Sequence, residues 1–227
     1  MSAVNVPTPS PEPFTQAREA MIESQLKPCG IVSPAVVSAF YAVPREEFVL
    51  PERRLLAYID APQPLVDGRE LYAPLTLGRL LEKAQPEKTG RALVVGAGNG
   101  YTAAVLSHLV AETIALEENP ALASRARELL SGYDNVEIVE GPLADGWPTG
   151  APYDLLVMDG AIARELPVAL VRQLKDGGHA VAVIVGEDGV GRAAIGRRAG
   201  ESLRLLPFAE APAAVLPSFE RVHVFQF

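Results

Sequence analysis

Residues 92–106 read ALVVGAGNGYTAAVL, an apolar run that gives way to glycines and then resumes with helical spacing. The apolar run predicts a buried strand, and the resumption predicts a helix that begins directly after the glycines. The glycines between them, Gly96, Gly98 and Gly100, indicate a sharp backbone turn that another group can approach closely. The stretch therefore predicts a strand, a turn and a helix, the unit that opens many doubly wound α/β sheets.

The sequence from Arg91 onward alternates between short apolar runs and helical stretches. The runs after residue 106 are ETIALE, NVEIVEG, YDLLVMDG and HAVAVIVG. Runs that are apolar on both faces are typical of parallel strands covered by helices on both sides. The last segments, SLRLLPFAEA and FERVHVFQF, have no helical pattern between them and can pair as antiparallel strands. We therefore predict an α/β fold with a doubly wound, mostly parallel sheet and an antiparallel C-terminal edge.

Three parts differ in composition along the chain. Residues 1–14 carry four prolines among polar residues and are expected to form a disordered leader. Residues 15–88 have helical spacing interrupted by a turn-rich loop, which predicts a helical N-terminal part. Residues 89–227 carry the alternating pattern and form the predicted α/β domain.

Composition excludes several classes of function. The formal net charge of −8 argues against nucleic-acid binding, because neutralising phosphates requires clustered lysine and arginine. The N-terminus lacks the pattern of a signal peptide, and no apolar stretch is long enough to predict a membrane span. Cys29 is the single cysteine, which fits a reducing compartment, and the three histidines lie too far apart in sequence to predict a metal site. We expect a cytoplasmic protein that binds neither nucleic acid nor a membrane.

The glycine turn and a later carboxylate predict a nucleoside ligand. The turn leads into a helix N-terminus, where partial positive charge favours an anionic group. Glu117, at the end of the second strand, can accept hydrogen bonds from both hydroxyls of a ribose. A dinucleotide fingerprint would place its third glycine where the chain has Tyr101. These residues alone do not separate a nicotinamide dinucleotide from S-adenosylmethionine, and a plain tight turn with a solvated Glu117 also stays open.

The surrounding motifs resemble the protein-L-isoaspartate O-methyltransferase family, a class of S-adenosylmethionine-dependent methyltransferases. The stretches that carry the resemblance include MIESQLKPCGI, VPREEFVLPE, AYIDAPQPL, APYDLLVMDGA and LVRQLKDGGHAV. The resemblance implies a Rossmann-like methyltransferase fold, with S-adenosyl-L-methionine as cofactor and isoaspartyl carboxylates of damaged proteins as methyl acceptors. It implies that Glu117 holds the cofactor ribose. Asp159 comes at the end of the fourth strand, where the crevice of a doubly wound sheet lies, and is predicted to contact the cofactor or the acceptor. The resemblance also implies that the glycine turn lies against the cofactor, through Gly96, Ala97, Gly98, Gly100 and Tyr101.

The loop expected to bind the substrate departs from the family pattern. That pattern reads much like G-Q-T-I-S-x-P, whereas residues 68–74 read GRELYAP. The expected hydroxyls therefore fall at Glu70 and Tyr72, which with Asp60 are the predicted catalytic residues. Glu70 would repel an acceptor carboxylate about 4 Å away by roughly 4 kcal/mol near a protein surface. Either the loop turns Glu70 outward, or the acceptor is not a carboxylate.

Three functions remain open from the sequence. The first is an isoaspartyl O-methyltransferase, which needs no catalytic base because a carboxylate with a pKa near 4 is already ionised at neutral pH. The second is a relative that keeps the fold but has lost this activity, as Val94, Pro142, Glu70 and Tyr72 suggest by departing from the family pattern. The third, a nicotinamide-dependent oxidoreductase, is disfavoured because no Tyr-Lys or His-Asp proton relay is evident.

Overall fold

The computed structural model describes residues 11–221, which form six α-helices and nine strands. The strands are β1 Gln63–Pro64, β2 Glu70–Leu71, β3 Arg91–Val95, β4 Glu112–Glu117, β5 Val136–Glu140, β6 Tyr153–Ile162, β7 Leu174–Val185, β8 Gly191–Arg197 and β9 Leu206–Glu210. The helices are α1 Pro11–Met21, α2 Pro34–Ala42, α3 Pro74–Ala84, α4 Tyr101–Ser107, α5 Pro120–Leu129 and α6 Val168–Gln173.

Seven strands form one sheet in the order β5-β4-β3-β6-β7-β8-β9. The first five of these run parallel, and β8 and β9 add to β7 as an antiparallel edge. This architecture confirms the predicted doubly wound, mostly parallel fold. The partner of β9 at the edge is β8, which lies in a stretch not predicted as a strand; residues 222–227, the end of FERVHVFQF, lie outside the described residues.

Strand β3 has apolar residues on both faces because the sheet separates two hydrophobic cores. Ala92 and Val94 face the core that contains α1 to α5, and Leu93 and Val95 face the other. That second core is covered by α6, short turns and the C-terminal residues Leu216 and Phe219. The helices are therefore distributed unevenly, whereas the sequence predicted helical cover on both faces.

The N-terminal part begins earlier than the sequence predicted. Helix α1 starts at Pro11, and Phe14 is buried in the core, because its ring supplies apolar area that the helix packs inward. The leader predicted for residues 1–14 is thus wrong for residues 11–14, and residues 1–10 lie outside the described chain. In residues 11–221 no helix combines the length and apolarity needed to span a bilayer.

Candidate functional site

The glycine turn joins β3 to α4 at the carboxyl edge of the sheet. Gly96, Gly98 and Gly100 have φ values of 82°, 56° and 90°, a left-handed conformation that costs glycine little. The backbone nitrogens of Gly96 and Ala97 donate to the Leu116 carbonyl over 2.9 and 3.0 Å. These bonds hold the turn against the end of β4, so it lies beside Glu117.

Glu117 is fully buried and accepts several backbone hydrogen bonds. Its Oε2 accepts from Gly98 N at 2.7 Å, and its Oε1 accepts from Glu118 N and Asn119 N at 3.0 Å each. A buried carboxylate is stable only when it is paired and hydrogen-bonded, and these donors supply part of what it needs. The structure therefore places Glu117 against the glycine turn, the position in which the sequence predicted a ribose-binding residue.

The guanidinium of Arg69 completes the surroundings of Glu117. Arg69 Nη1 donates to Oε1 at 2.8 Å and Nη2 donates to Oε2 at 3.0 Å, so the pair is bidentate. Nη2 also donates to the Gly96 carbonyl at 2.7 Å, and the Arg69 side chain is only 6% exposed. Arg69 thus lies between the carboxylate and the glycine turn, in the space where the sequence predicted a ribose. The sequence analysis missed this residue.

A C-terminal segment, residues 211–219, crosses the same groove; we call it the strap. Val215 forms a parallel bridge to Ala161 beyond the regular part of β6, with Ala161 N donating to Ala214 O and Leu216 N to Ala161 O. Leu216 is 2% exposed and lies against two glycines. A methyl group added to Gly96 would lie 2.9 Å from Leu216 Cδ2, and one added to Gly160 would lie 2.6 Å from it. Because Gly96 and Gly160 lack a Cβ atom, Leu216 can approach them closely.

The strap continues toward the end of β5. Phe219 is fully buried in the same core as Leu143, which follows β5, and its carbonyl accepts from Ala163 N at 2.9 Å. Ser218 Oγ lies 3.1 Å from Glu118 Oε2. Between the strap and residues 68–72 there remains a cavity of about 10 Å³. That is at the lower limit of what one water molecule requires.

Of the three predicted catalytic residues, Glu70 and Tyr72 line the same small cavity and Asp60 does not, and each of the three makes structural contacts. Tyr72 is buried; its hydroxyl accepts from Gly160 N at 3.0 Å and lies 2.7 and 2.8 Å from the Met158 and Gly160 carbonyls. Burial raises the pKa of Tyr72 above its usual range, so the hydroxyl stays protonated. Because its one proton serves a backbone carbonyl, this hydroxyl is not a free donor in this conformation.

Glu70 and Asp60 also contact backbone nitrogens. Glu70 Oε2 accepts from Ala214 N at 3.1 Å, so its carboxylate faces the strap. This orientation is the one expected if the loop turns Glu70 outward, the first of the two possibilities that the sequence left open. Asp60 is exposed, and its Oδ1 accepts from Leu75 N at 3.0 Å in the first turn of α3. Its contact is that of a helix cap, because it satisfies one of the free N–H groups at a helix N-terminus.

Two predicted site residues in the described part of the chain have an unpartnered buried side-chain atom: Tyr101, through its hydroxyl, and Asp159. Asp159 is 4% exposed, and its Oδ1 has no hydrogen-bond partner within residues 11–221. Burial raises the pKa of Asp159 to about 7, although Thr102 and Arg69 oppose this rise. The carboxyl is therefore partly protonated at neutral pH.

A buried arginine supports this side of the site. Arg45, from the VPREEFV motif, is fully buried and donates to Ala57 O at 2.7 Å and to Tyr72 O at 2.6 Å. Its guanidinium lies 4.7 Å from the centre of the Tyr101 ring, a favourable cation–π distance. Arg45 thus fixes the backbone at Tyr72, and Tyr101 packs against Arg45. A signal for such a role was present in the motif, but the partners of Arg45 are distant in sequence.

Together, the parallel sheet, the glycine turn and the carboxylate that ends β4 define a Rossmann-like nucleoside-binding fold, and the comparisons with known proteins identify its class as a methyltransferase. The family model for protein-L-isoaspartate(D-aspartate) O-methyltransferase matches residues 16–201. A protein-L-isoaspartate O-methyltransferase from Pelobacter propionicus is 42% identical over 72% of this chain and 73% of its own, and one from Rhodopseudomonas palustris is 40% identical over 74% and 69%. The chain belongs to the protein-L-isoaspartate O-methyltransferase family.

Solved structures agree in fold. A protein-L-isoaspartate O-methyltransferase is similar with a TM-score of 0.77 and 24% identity, covering 89% of this chain and 67% of that one. A second, from Plasmodium falciparum in complex with S-adenosyl-L-homocysteine, has a TM-score of 0.71 and 21% identity over 90% and 98%. The family match ends at residue 201, before the strap begins.

S-adenosyl-L-methionine is the cofactor of this family. The glycine turn and Glu117 are suited to an adenosyl group, but the space beside them is filled by Arg69 and Leu216. The cavity of about 10 Å³ between the strap and the loop cannot hold a nucleoside. A larger open cavity of about 590 Å³ lies beside it, but its lining includes Arg69, Glu118 and Pro217 and none of the three glycines of the turn. The groove in this conformation therefore does not fit the cofactor.

Proposed function

We propose that the chain methylates the side-chain carboxylate of isoaspartyl residues in damaged proteins, and that it does so in the cytoplasm. The observation that carries this proposal is the family match over residues 16–201, which includes the glycine turn, Glu117 and Asp159. Relatives that are 40% and 42% identical bear the name of this activity. The cytoplasmic setting is supported by Cys29, a free and exposed thiol.

Methylation of the proposed acceptor requires little proton transfer by the protein. An isoaspartyl carboxylate with a pKa near 4 is ionised at neutral pH, so no general base has to be found. What remains is to orient the attacking oxygen and remove part of its water. In its protonated form Asp159 can donate a hydrogen bond to an anionic acceptor, and it does not repel that acceptor. The pKa of about 7 that burial gives Asp159 supports this role.

The test is methyl transfer to a matched pair of peptides. The purified full-length chain is incubated with S-adenosyl-L-methionine labelled in the methyl group and with a peptide containing one isoaspartyl residue. The control peptide has the same sequence with an ordinary aspartyl residue. We expect base-labile label in the isoaspartyl peptide alone. Equal labelling of both peptides, or none in either at millimolar cofactor, would contradict the proposed acceptor.

A further inference from the structure

We propose that the strap and Arg69 form an internal occupant of the cofactor groove, which the cofactor must displace in order to bind. This inference rests on the proposed function only for the identity of the ligand. Its basis is a set of contacts that fill the groove from two separate parts of the chain. These are the loop at residues 68–72 and the strap at residues 211–219.

Glu117 has no hydrogen-bonding capacity to spare. Its two oxygens accept three backbone N–H groups and two N–H groups of Arg69. A carboxylate offers about four lone-pair sites, so five donors saturate it. The two hydroxyls of a ribose would need the sites that Arg69 occupies. Binding of a ribose by Glu117 and pairing of Glu117 with Arg69 are therefore mutually exclusive.

The strap also occupies the space that a nucleoside would need. Gly96 and Gly160 lack the Cβ atoms that would block a close approach, and Leu216 uses both vacancies, lying 2.9 and 2.6 Å from the added methyl positions. Phe219 fills the groove farther along, beside Leu143. The strap thus covers the length over which a nucleoside would lie. An adenosyl group requires Leu216 and Phe219 to move.

The strap and the unusual loop at residues 68–72 stabilise the same closed groove. Each residue at which GRELY departs from the family pattern and carries a polar group stabilises the closed groove. Arg69 pairs with Glu117, Glu70 accepts from Ala214 N in the strap, and Tyr72 binds the Gly160 backbone under Leu216. The departures are explained together if the loop serves to hold the strap.

The strap can leave without breaking the sheet. It follows β9, the edge strand, and its only helical turn is Pro217–Phe219. Four backbone bonds join it to the sheet: one from Ala211 N to Gly191 O in β8, and three at Ala161 and Ala163 at the end of β6.

A segment held by so few backbone bonds can open locally while the sheet stays intact, and the burial of Leu216 and Phe219 sets the cost of that opening. Only molecules with an open groove bind the cofactor. The apparent dissociation constant is therefore the intrinsic constant divided by the fraction of molecules that are open.

Two substitutions open the groove, and each has a matched control. Arg69→Gln restores the residue of the family pattern and releases Glu117. Its control is Arg91→Gln, which breaks a similar bidentate pair with Glu112, at the other end of the sheet. Leu216→Ala removes the side chain that lies against Gly96 and Gly160. Its control is Leu81→Ala, because Leu81 is equally buried but lies in α3, away from the groove.

The measurement is calorimetric titration of the full chain with S-adenosyl-L-homocysteine. We expect the two groove variants to bind at least tenfold more tightly than the wild type and the two controls to bind like the wild type. Unchanged affinity in the groove variants, or an equal gain in the controls, would overturn the proposal. So would a failure of every variant to bind the probe at millimolar concentration.

Hydrogen exchange on the unmodified chain provides a second test, which does not depend on the variants folding. Adding S-adenosyl-L-homocysteine should speed exchange at the amides of Ala161, Ala163 and Leu216 and slow it at Gly98. Unchanged protection of the strap amides when the probe is bound would refute displacement.

The experiments distinguish a failure of this proposal from a failure of the proposed function. If the groove variants bind more tightly but the isoaspartyl peptide is not methylated, the proposed acceptor is wrong and the proposal for the strap is supported. If the wild type methylates the isoaspartyl peptide but the groove variants bind no more tightly, the proposed acceptor is supported and the proposal for the strap is wrong.

Discussion

At the residue scale, the ion pair of Glu117 with Arg69 determines whether the groove is open. Both side chains are almost fully buried, so separating them leaves a charge without its partner. Breaking a buried pair in this way costs about 3–5 kcal/mol unless a new partner replaces the old one. Ribose hydroxyls would replace the guanidinium on Glu117, but Arg69 must reach water. The barrier to opening is therefore substantial, and it is lowest for a ligand that hydrogen-bonds to Glu117.

Asp159 gives a prediction for pH dependence. The pKa of about 7 in the folded chain exceeds the ordinary value near 4 that the unfolded chain retains, so the folded state binds more protons between these values. Stability is then highest at low pH and falls as the pH rises through 7. Asp159→Asn removes this titration. Relative to the wild type, we expect the variant to gain roughly 2 kcal/mol in free energy of unfolding between pH 5 and pH 8, measured by urea titration.

The control for this prediction is Asp154→Asn. Burial tends to raise the pKa of Asp154, but its hydrogen bonds with Lys175 and Arg91 N outweigh burial and hold the pKa below the ordinary value. Its titration therefore lies below pH 5, and its difference from the wild type should stay constant from pH 5 to pH 8. If the difference in free energy of unfolding between Asp159→Asn and the wild type were also constant from pH 5 to pH 8, Asp159 would be charged throughout this range.

The location of the site was partly predictable from single residues. Glu117 was found because an acidic residue about 20 positions after a glycine turn falls at the end of the next strand. Arg69 was not, because it lies 48 residues before Glu117 and nothing local distinguishes it from the other arginines. Its burial depends on where the loop crosses the sheet edge. The functional roles of the predicted site residues stay predictions.

At the scale of elements, prediction was best where an apolar run is bounded on both sides. ETIALE corresponds to β4, Glu112–Glu117, residue for residue. Strand β8 has the sequence GRAAIGR. It was missed because its short apolar centre is flanked by two glycines and two arginines, which interrupt the apolar pattern. Ala193 and Ala194 are nevertheless buried there, since β7 and β9 flank the strand. Its position in the sheet overrides its weak local preference.

Helix α3 gives the prediction at this scale, through Asp60. Its side chain accepts from Leu75 N in the first turn of α3, which begins with Pro74. Loss of a capping side chain costs about 1 kcal/mol. We expect Asp60→Ala to lower the free energy of unfolding by that amount while isoaspartyl methylation, assayed well below the melting temperature, stays unchanged. A tenfold loss of methylation in a folded variant would instead place Asp60 at the acceptor, as the sequence analysis predicted.

At the scale of the whole molecule, the uneven distribution of helices gives the strap a second role. The core on one face of the sheet is covered by five helices, but the other depends partly on Leu216 and Phe219. Displacing the strap therefore exposes part of a core, and a bound nucleoside would cover some of the same apolar surface. The fold itself was predictable from strand and helix alternation. The strap was not, because its sequence has no periodic pattern and its position depends on the completed sheet.

This arrangement predicts that ligand binding makes one site more sensitive to a protease. Phe219 is fully buried, so chymotrypsin should cut after it slowly in the free chain. Once S-adenosyl-L-homocysteine has displaced the strap, cleavage there should become faster, whereas bound ligands ordinarily slow proteolysis by stabilising the folded state. Phe208, which is 37% exposed in β9, is the internal control, and its rate should not rise. NAD, which also carries a ribose but is not the family's cofactor, is the ligand control. Mass spectrometry of timed digests separates the two cuts. Slower cleavage after Phe219 with the bound homocysteine derivative would show that the strap closes over the ligand.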